Sequence, residues 1–313
     1  MRGIACAKVN LGLQVSGTRP DGLHDLTGLF QSIAWTDRLR LVTGVDEDSM
    51  AAFDPGRPVP EGDENLAWRA AAAVRQVAAS PRPMSLELDK RIPVAAGLGG
   101  GSADAALSLV MAAWAFDVPM DDVTPLAPML GSDVSFCLLG GTAVVSGGGE
   151  AVAALPDAAG FALAVVVPPI ELSTAAVYAR WDSLGGPQAA GVGGADLPPS
   201  LRDLAPLRND LYGAAVAEAP AVDEWRSELA GRFDRTVLMS GSGPALFAFF
   251  VDVDEAADAI RRLPAGARDA WAGEPVPFGW AVRRREGDPI AAGSGTTWTE
   301  EQETRWWPGT FDT

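Results

Sequence analysis

The elements legible in these 313 residues predict an α+β protein built as two successive layered units, not one doubly wound sheet. Three observations predict it. Strand-like segments fill the first sixty or so residues before any helix appears. Helices and strands then alternate irregularly, and near Gly160 the pattern restarts after a glycine-rich stretch. With 48% hydrophobic and 21% charged residues, the chain has apolar surface enough for two cores. The restart predicts a first domain over 1–158, a second over 159–285 and a tail over 286–313.

In chain order, IACAKVNLGLQVSG alternates as a strand or strand pair, TRPDG is a turn, and LTGLFQSIAW and DRLRLVTGV are further strands. Asp63 or Asn65 stands where an N-cap is wanted before an Ala-rich run, which predicts a helix over 65–79. MSLELDKRIPV alternates as a strand. Helices follow from Ser102 to Phe116 and from Asp121 to Leu130, then a polar break, GSDVSF, and strands in GTAVVSGGGE and FALAVVVPP. Past Gly160, STAAVYARWDSL is a helix and PQAAGVGGADLPPS a Gly/Pro-rich loop. Pro220 separates helices at Leu211–Ala219 and Ala221–Ala230. TVLMSGSGPALFAFFVD reads as strand, glycine turn and strand, followed by a helix at Asp254–Leu263 and a strand in GWAVRRR. The tail sets Trp298, Trp306 and Trp307 among Thr, Glu and Gly without a period. A docked aromatic clasp and a loose segment both stay open.

Charge and scarce residues narrow the chemistry. A net charge of -17 repels nucleic acid phosphates and anionic membranes, so small molecules are the expected partners. No apolar run reaches the roughly 18 residues of a span, and the opening MRGIACAKVNLGL lacks a cleavage site, so a soluble cytoplasmic protein is expected. Only Cys6 and Cys137 are present, which suits a reducing compartment and excludes a multi-cysteine zinc site. His24 is the sole histidine, so a Ser-His-Asp triad would have to use it. Lysine occurs only at Lys8 and Lys90.

The stretch PVAAGLGGGSADAALSLV, starting at Pro93, joins a strand to an apolar helix through four clustered glycines, Gly97, Gly99, Gly100 and Gly101. Glycines allow backbone N–H groups to approach an anion closely, and a helix N-terminus adds positive potential, so the loop reads as a phosphate cradle. It is not the usual P-loop, because no Lys-Ser/Thr pair follows the last glycine. A tight turn alone would need one or two glycines. Ser102 offers a hydroxyl to phosphate or Mg²⁺, and Lys90 lies just upstream to neutralise charge. Asp133, in GSDVSF, is a candidate general base, with a helix cap as its plainer reading. Lys8 could keep that carboxylate ionised and stabilise a transferring phosphoryl group.

PVAAGLGGGSADAA resembles the phosphate-loop motif of the GHMP kinases, and LMSGSGPALFAFF resembles their third, glycine-rich motif. ACAKVNLGLQVSGTRPDGLHDLTGLFQSI is similar to the N-terminal signature of one branch of that superfamily, with ENLAWRAA, GSDVSF and RNDL in comparable positions. The resemblance runs in order from about Ile4 to about Arg285. It implies a two-domain fold, a ribosomal protein S5 domain 2-like unit followed by a ferredoxin-like one, with substrates in the cleft between. It also implies ATP- and Mg²⁺-dependent phosphorylation of the 2-hydroxyl of 4-diphosphocytidyl-2-C-methyl-D-erythritol, in the non-mevalonate isoprenoid precursor pathway.

Carried across by residue, the resemblance makes Lys8 and Asp133 the catalytic pair and sets Asn10 against the methylerythritol. His24 would hydrogen-bond the cytosine, with Tyr178 stacked on it and Thr174 nearby. Pro93, Gly97, Leu98, Gly99, Gly100, Gly101 and Ser102 would wrap the ATP phosphates, Ser102 would meet the metal, and Asn65 and Lys90 would line the adenosine. Departures are Cys6 for the usual Pro, Leu23 for an aromatic beside the histidine, and Asp104 for the commoner Asn. Another small alcohol such as homoserine or mevalonate, or a non-catalytic nucleotide sensor, remains an alternative at this point. The chain is expected as a monomer or homodimer.

Overall fold

The computed structural model describes residues 1–19, 22, 24–54, 57–186, 191, 193, 196–293 and 297–307. Two sheets organise it. The larger runs β12-β11-β1-β2-β4-β3, from β1 (Arg2–Thr18), β2 (His24–Thr43), β3 (Ser49–Phe53), β4 (Met84–Asp89), β11 (Trp280–Arg283) and β12 (Ala291–Ala292). β5 (Thr142–Gly147) joins it along β2 and carries β6 (Ala151–Ala154). The smaller sheet runs β10-β7-β9-β8, from β7 (Ala162–Val167), β8 (Leu238–Met239), β9 (Leu246–Phe250) and β10 (Asp269–Gly273).

β1 is buried from Gly3 to Leu13 on both faces, unlike the half-buried strand its alternation predicts. The reason is a second core. Ala7, Val9 and Leu11 of β1 cluster with Leu163, Val165 and Val167 of β7 and Phe247 and Phe249 of β9, so the smaller sheet covers the face that would otherwise meet water. The opposite face carries α1 (Leu66–Val77) and α2 (Gly100–Phe116). α2 lies so deep that twelve of its residues are buried, which explains an Ala-rich composition with no polar stripe. Bulges beside Cys6, Asn10 and Val15 re-aim successive side chains of β1.

Several elements differ from the sequence expectation. LTGLFQSIAW and DRLRLVTGV form one strand, β2, which pairs β5 along Leu26–Gln31 and β4 along Arg38–Thr43. The helix expected over Asp121–Leu130 is broken into α3 (Met120–Val123), a 3₁₀ turn and α4 (Ala127–Leu130), because Pro125 and Pro128 supply no N–H to a continuous ladder. GSDVSF opens a further short helix, α5 (Val134–Leu139). The helices α6 (Thr174–Leu184), α7 (Tyr212–Glu218), α8 (Ala221–Phe233) and α9 (Val253–Ile260) fall where expected. β3, β6 and β10 were not legible; they are short and half-exposed, with little alternation to read.

The end of the chain returns to its beginning. β11 pairs Arg2–Ala5 of β1 in the larger sheet, not the smaller one. The tail docks. Trp298 is buried, its ring 5.0 Å from Phe278 and 5.8 Å from Trp306 of α10 (Glu300–Trp306), and the last residues, 308–313, lie outside the described set. Among the described residues no helix is long and apolar enough to cross a membrane.

Candidate active site

The glycine loop leaves β4 at Asp89 and enters α2 at Gly100. It is pinned on both sides: Leu98 O accepts Lys8 N at 2.9 Å, and Ala96 O accepts Ala245 N at 3.0 Å. Gly97 has φ +80°, and a Cβ there would lie 2.7 Å from Ser240 O, so only glycine fits. Gly99 has φ +69°, and its Cβ would meet the Lys8 stem at 2.9 Å. α2 therefore begins on a left-handed residue, with no capping side chain and no carboxylate in its first turn. That leaves a helix N-terminus free to receive an anion.

Lys8 and Asp133 meet beside this loop. Lys8 Nζ lies 3.3 Å from Asp133 Oδ2, with side-chain exposures of 4% and 27%. Asp133 holds the N-cap position of α5 but makes no capping bond, so its carboxylate is free for other work. Lys8 also donates to Asn10 Oδ1 and to Gly97 O, the latter at 3.1 Å, tying the pair to the loop. Ser240 completes the knot: its Oγ accepts Asn10 N at 3.1 Å and donates to Gly97 O at 3.0 Å. Asn209 Nδ2 donates to Met239 O at 2.8 Å and Gly241 O at 2.7 Å, holding the second glycine turn against Lys8 and Asn10. Ser240 and Asn209 were not singled out by sequence reasoning, although the LMSGSGPA and RNDL motifs contain them.

His24, at the start of β2, packs on α6. Its ring is 4.8 Å from Tyr178, tilted 33°, and edge-on to Trp181 at 5.5 Å. His24 Nε2 lies 2.8 Å from Asp182 Oδ1, a partner the sequence reading did not name. Burial and, secondarily, the Asp133 charge push the Tyr178 phenol up to about 12, so this aromatic group and the Lys8–Asp133 pair share one electrostatic environment. Thr174 begins α6, its hydroxyl 2.9 Å from that of Ser242 in the second glycine turn. Leu23 lies outside the described residues.

Lys90 and Asn65, the two side chains expected along the adenosine, are held by partners within the protein. Lys90, 4% exposed, is paired with Asp37 and, at 2.9 Å, with Asp104 Oδ2. Asp37 Oδ1 in turn accepts the Ile92 N–H at 2.8 Å, so this buried trio braces the loop from beneath. The two carboxylates raise the lysine's affinity for its proton against the cost of burial. Asn65 caps α1, accepting Ala67 N at 2.9 Å, and donates to Pro60 O. Both side chains position backbone, Lys90 through the Asp37 that holds the loop and Asn65 at the start of α1. Ser102, half-buried in the first turn of α2, has its hydroxyl 3.9 Å from where a Gly131 Cβ would be, on the side of the Asp133 segment. Cys6 is fully buried in β1, and burial raises its thiol pKa.

Residues 65–141 match the GHMP kinases N terminal domain and residues 198–269 the GHMP kinases C terminal domain. A 4-diphosphocytidyl-2-C-methyl-D-erythritol kinase of Moorella thermoacetica is 37% identical over 83% of this chain and 93% of its own length. One from Geobacter sulfurreducens is 36% identical over 83% of this chain and 94% of its own. A crystal structure of 4-(cytidine 5'-diphospho)-2C-methyl-D-erythritol kinase superposes with TM-score 0.70 at 35% identity, covering 88% of this chain and 99% of that one. A homoserine kinase from Cytophaga hutchinsonii shares the fold at TM-score 0.62 and 19% identity. The two GHMP domains, the order of the motifs and this level of identity show that the chain belongs to the 4-diphosphocytidyl-2-C-methyl-D-erythritol kinases, a branch of the GHMP kinases.

Proposed function

We propose that the chain transfers the γ-phosphoryl group of ATP to the 2-hydroxyl of 4-diphosphocytidyl-2-C-methyl-D-erythritol, in the cytoplasm, as a step of non-mevalonate isoprenoid precursor synthesis. The observation that carries this reading is the Lys8–Asp133 pair, 3.3 Å apart beside the uncapped N-terminus of α2. Asp133 orients the acceptor hydroxyl and takes its proton as the oxygen attacks the γ-phosphorus and the bond to ADP breaks. Lys8 keeps that carboxylate ionised and stabilises charge developing on the phosphoryl oxygens. Main-chain N–H groups of Gly97 to Ser102 bind the phosphates. Asn10 orients the methylerythritol, while His24, held by Asp182, and Tyr178 receive the cytosine, with Thr174 at their edge.

Among the described residues no cluster of three or more His, Cys, Asp or Glu builds a protein cage for a metal. The residues fit Mg²⁺ held mainly by the nucleotide, with the Ser102 hydroxyl as the protein's oxygen donor and Asp133 nearby. Bound there, the ion would neutralise phosphate charge.

The test is an ADP-release assay comparing the cytidyl substrate with mevalonate and homoserine. Turnover with the cytidyl substrate alone is expected; equal or faster turnover with another alcohol would overturn the assignment.

A further inference from the structure

Across three neighbouring strands the larger sheet lines up like charges. Arg2 of β1 is registered directly opposite Arg40 of β2 on one side and Arg283 of β11 on the other, and Arg284 and Arg285 continue from the strand end. Like charges directly opposed in a sheet repel, and folding gains nothing from three in a row. The chain's net charge of -17 makes this concentration more unexpected. Some of the charge is met: Glu87 forks Arg40 at 2.9 and 3.1 Å, Glu303 pairs Arg283, and the exposed Glu286 lies 3.6 Å from Arg2. Much is not. The five arginines line one cavity of about 270 Å³ whose only carboxylate lining, among the described residues, is Glu286, and Arg283 Nε is buried without a hydrogen-bond partner.

We propose that this cavity is a second binding site, for a diphosphate-bearing small molecule. Guanidinium forks match phosphate oxygens bidentately and stay charged at any physiological pH. Adjacent strands space Arg40, Arg2 and Arg283 by about 5 Å, which suits two linked phosphates better than one compact anion. The cavity is too small for an extended polyanion to lie within it. It is separate from the glycine loop: Arg2 precedes Lys8 by six residues on the same strand, about 20 Å of extended chain. An anion seated here bridges β2, β1 and β11, and β1 also carries Lys8 and Asn10.

The test is calorimetric titration of the full chain with inorganic pyrophosphate, the glycine loop first filled by a non-hydrolysable ATP analogue. One equivalent is expected to bind with the loop occupied. Arg2→Gln/Arg40→Gln, both at exposed positions, should weaken it about tenfold or more while leaving turnover at wild-type level. Arg284→Gln/Arg285→Gln, also exposed, gives the same readout from the strand end should the first variant fold poorly. No binding, binding lost when the analogue fills the loop, or affinity unchanged in both variants would overturn the proposal.

Discussion

The ammonium of Lys8 is shared among a carboxylate, an amide oxygen and a main-chain carbonyl, so its position is fixed by its own strand and by two segments distant in sequence. His24 is held differently, by ring contacts with Tyr178 and Trp181 and by Asp182. His24→Ala should therefore raise KM for the cytidyl substrate by about tenfold or more and leave KM for ATP nearly unchanged. Steady-state kinetics with each substrate varied decides it; equal changes in both would remove the histidine from cytosine recognition. Asp104 makes a prediction of another kind. Burial, with the neighbouring Asp37 charge, raises its carboxyl well above the ordinary 3.8 against the pull of Lys90, and its Oδ1 has no hydrogen-bond partner. Between the unfolded and folded values the folded chain keeps a proton that the unfolded chain gives up, so this contribution to stability is full at low pH and is lost as pH rises through the folded value. Asp104→Asn keeps the shape without the titration. Its stability relative to wild type, from urea denaturation, should increase from about pH 4 upward. A difference independent of pH would mean Asp104 is ionised throughout.

At the scale of elements, the site is a junction of two glycine turns. Gly97 faces Ser240 O and Gly243 O so closely that Gly97→Ala forces a Cβ to 2.7 and 2.9 Å from them, at a φ of +80°. It should lose more than about 1 kcal/mol in chemical denaturation and raise KM for ATP, because the loop cannot stay against the second turn. Unchanged stability and KM would show that the loop does not need this contact. The glycine loop and α2 were legible because four glycines ahead of an apolar run have few other uses, and Asn65 was legible as a cap. The buried pairing of Lys90 was not: sequence marks a lysine beside a phosphate loop but cannot show that Asp37, fifty-three residues away in chain, reaches it. The break in the helix after Asp121 was in the sequence all along, at Pro125 and Pro128.

In the whole molecule, the first strand is the shared wall. β1 pairs β2 and β11, presses α2 on one face and the smaller sheet on the other, and presents Lys8 and Asn10 where these layers meet the glycine turns. Its alternation announces a strand but not burial on both faces, and the pairing of β11 with it is a contact across nearly the full chain. The restart at Gly160 marks the second sheet but not this return. The tail illustrates the same limit: its tryptophans lack a period because they dock one by one, Trp298 on Phe278 and Trp306 beside both. Trp298→Ala should cost about 3–5 kcal/mol in thermal or urea unfolding, with activity kept at permissive temperature. A loss below about 1 kcal/mol would mean the tail is not part of this core.

In the proposed reaction Asp133 acts upon the acceptor hydroxyl beside a loop that holds ATP on its own. Turnover and ATP affinity of Asp133→Asn, measured side by side, test it most directly. Turnover lowered by about 10²–10⁴-fold with the ATP dissociation constant nearly unchanged is expected. Turnover near the wild-type level would contradict it.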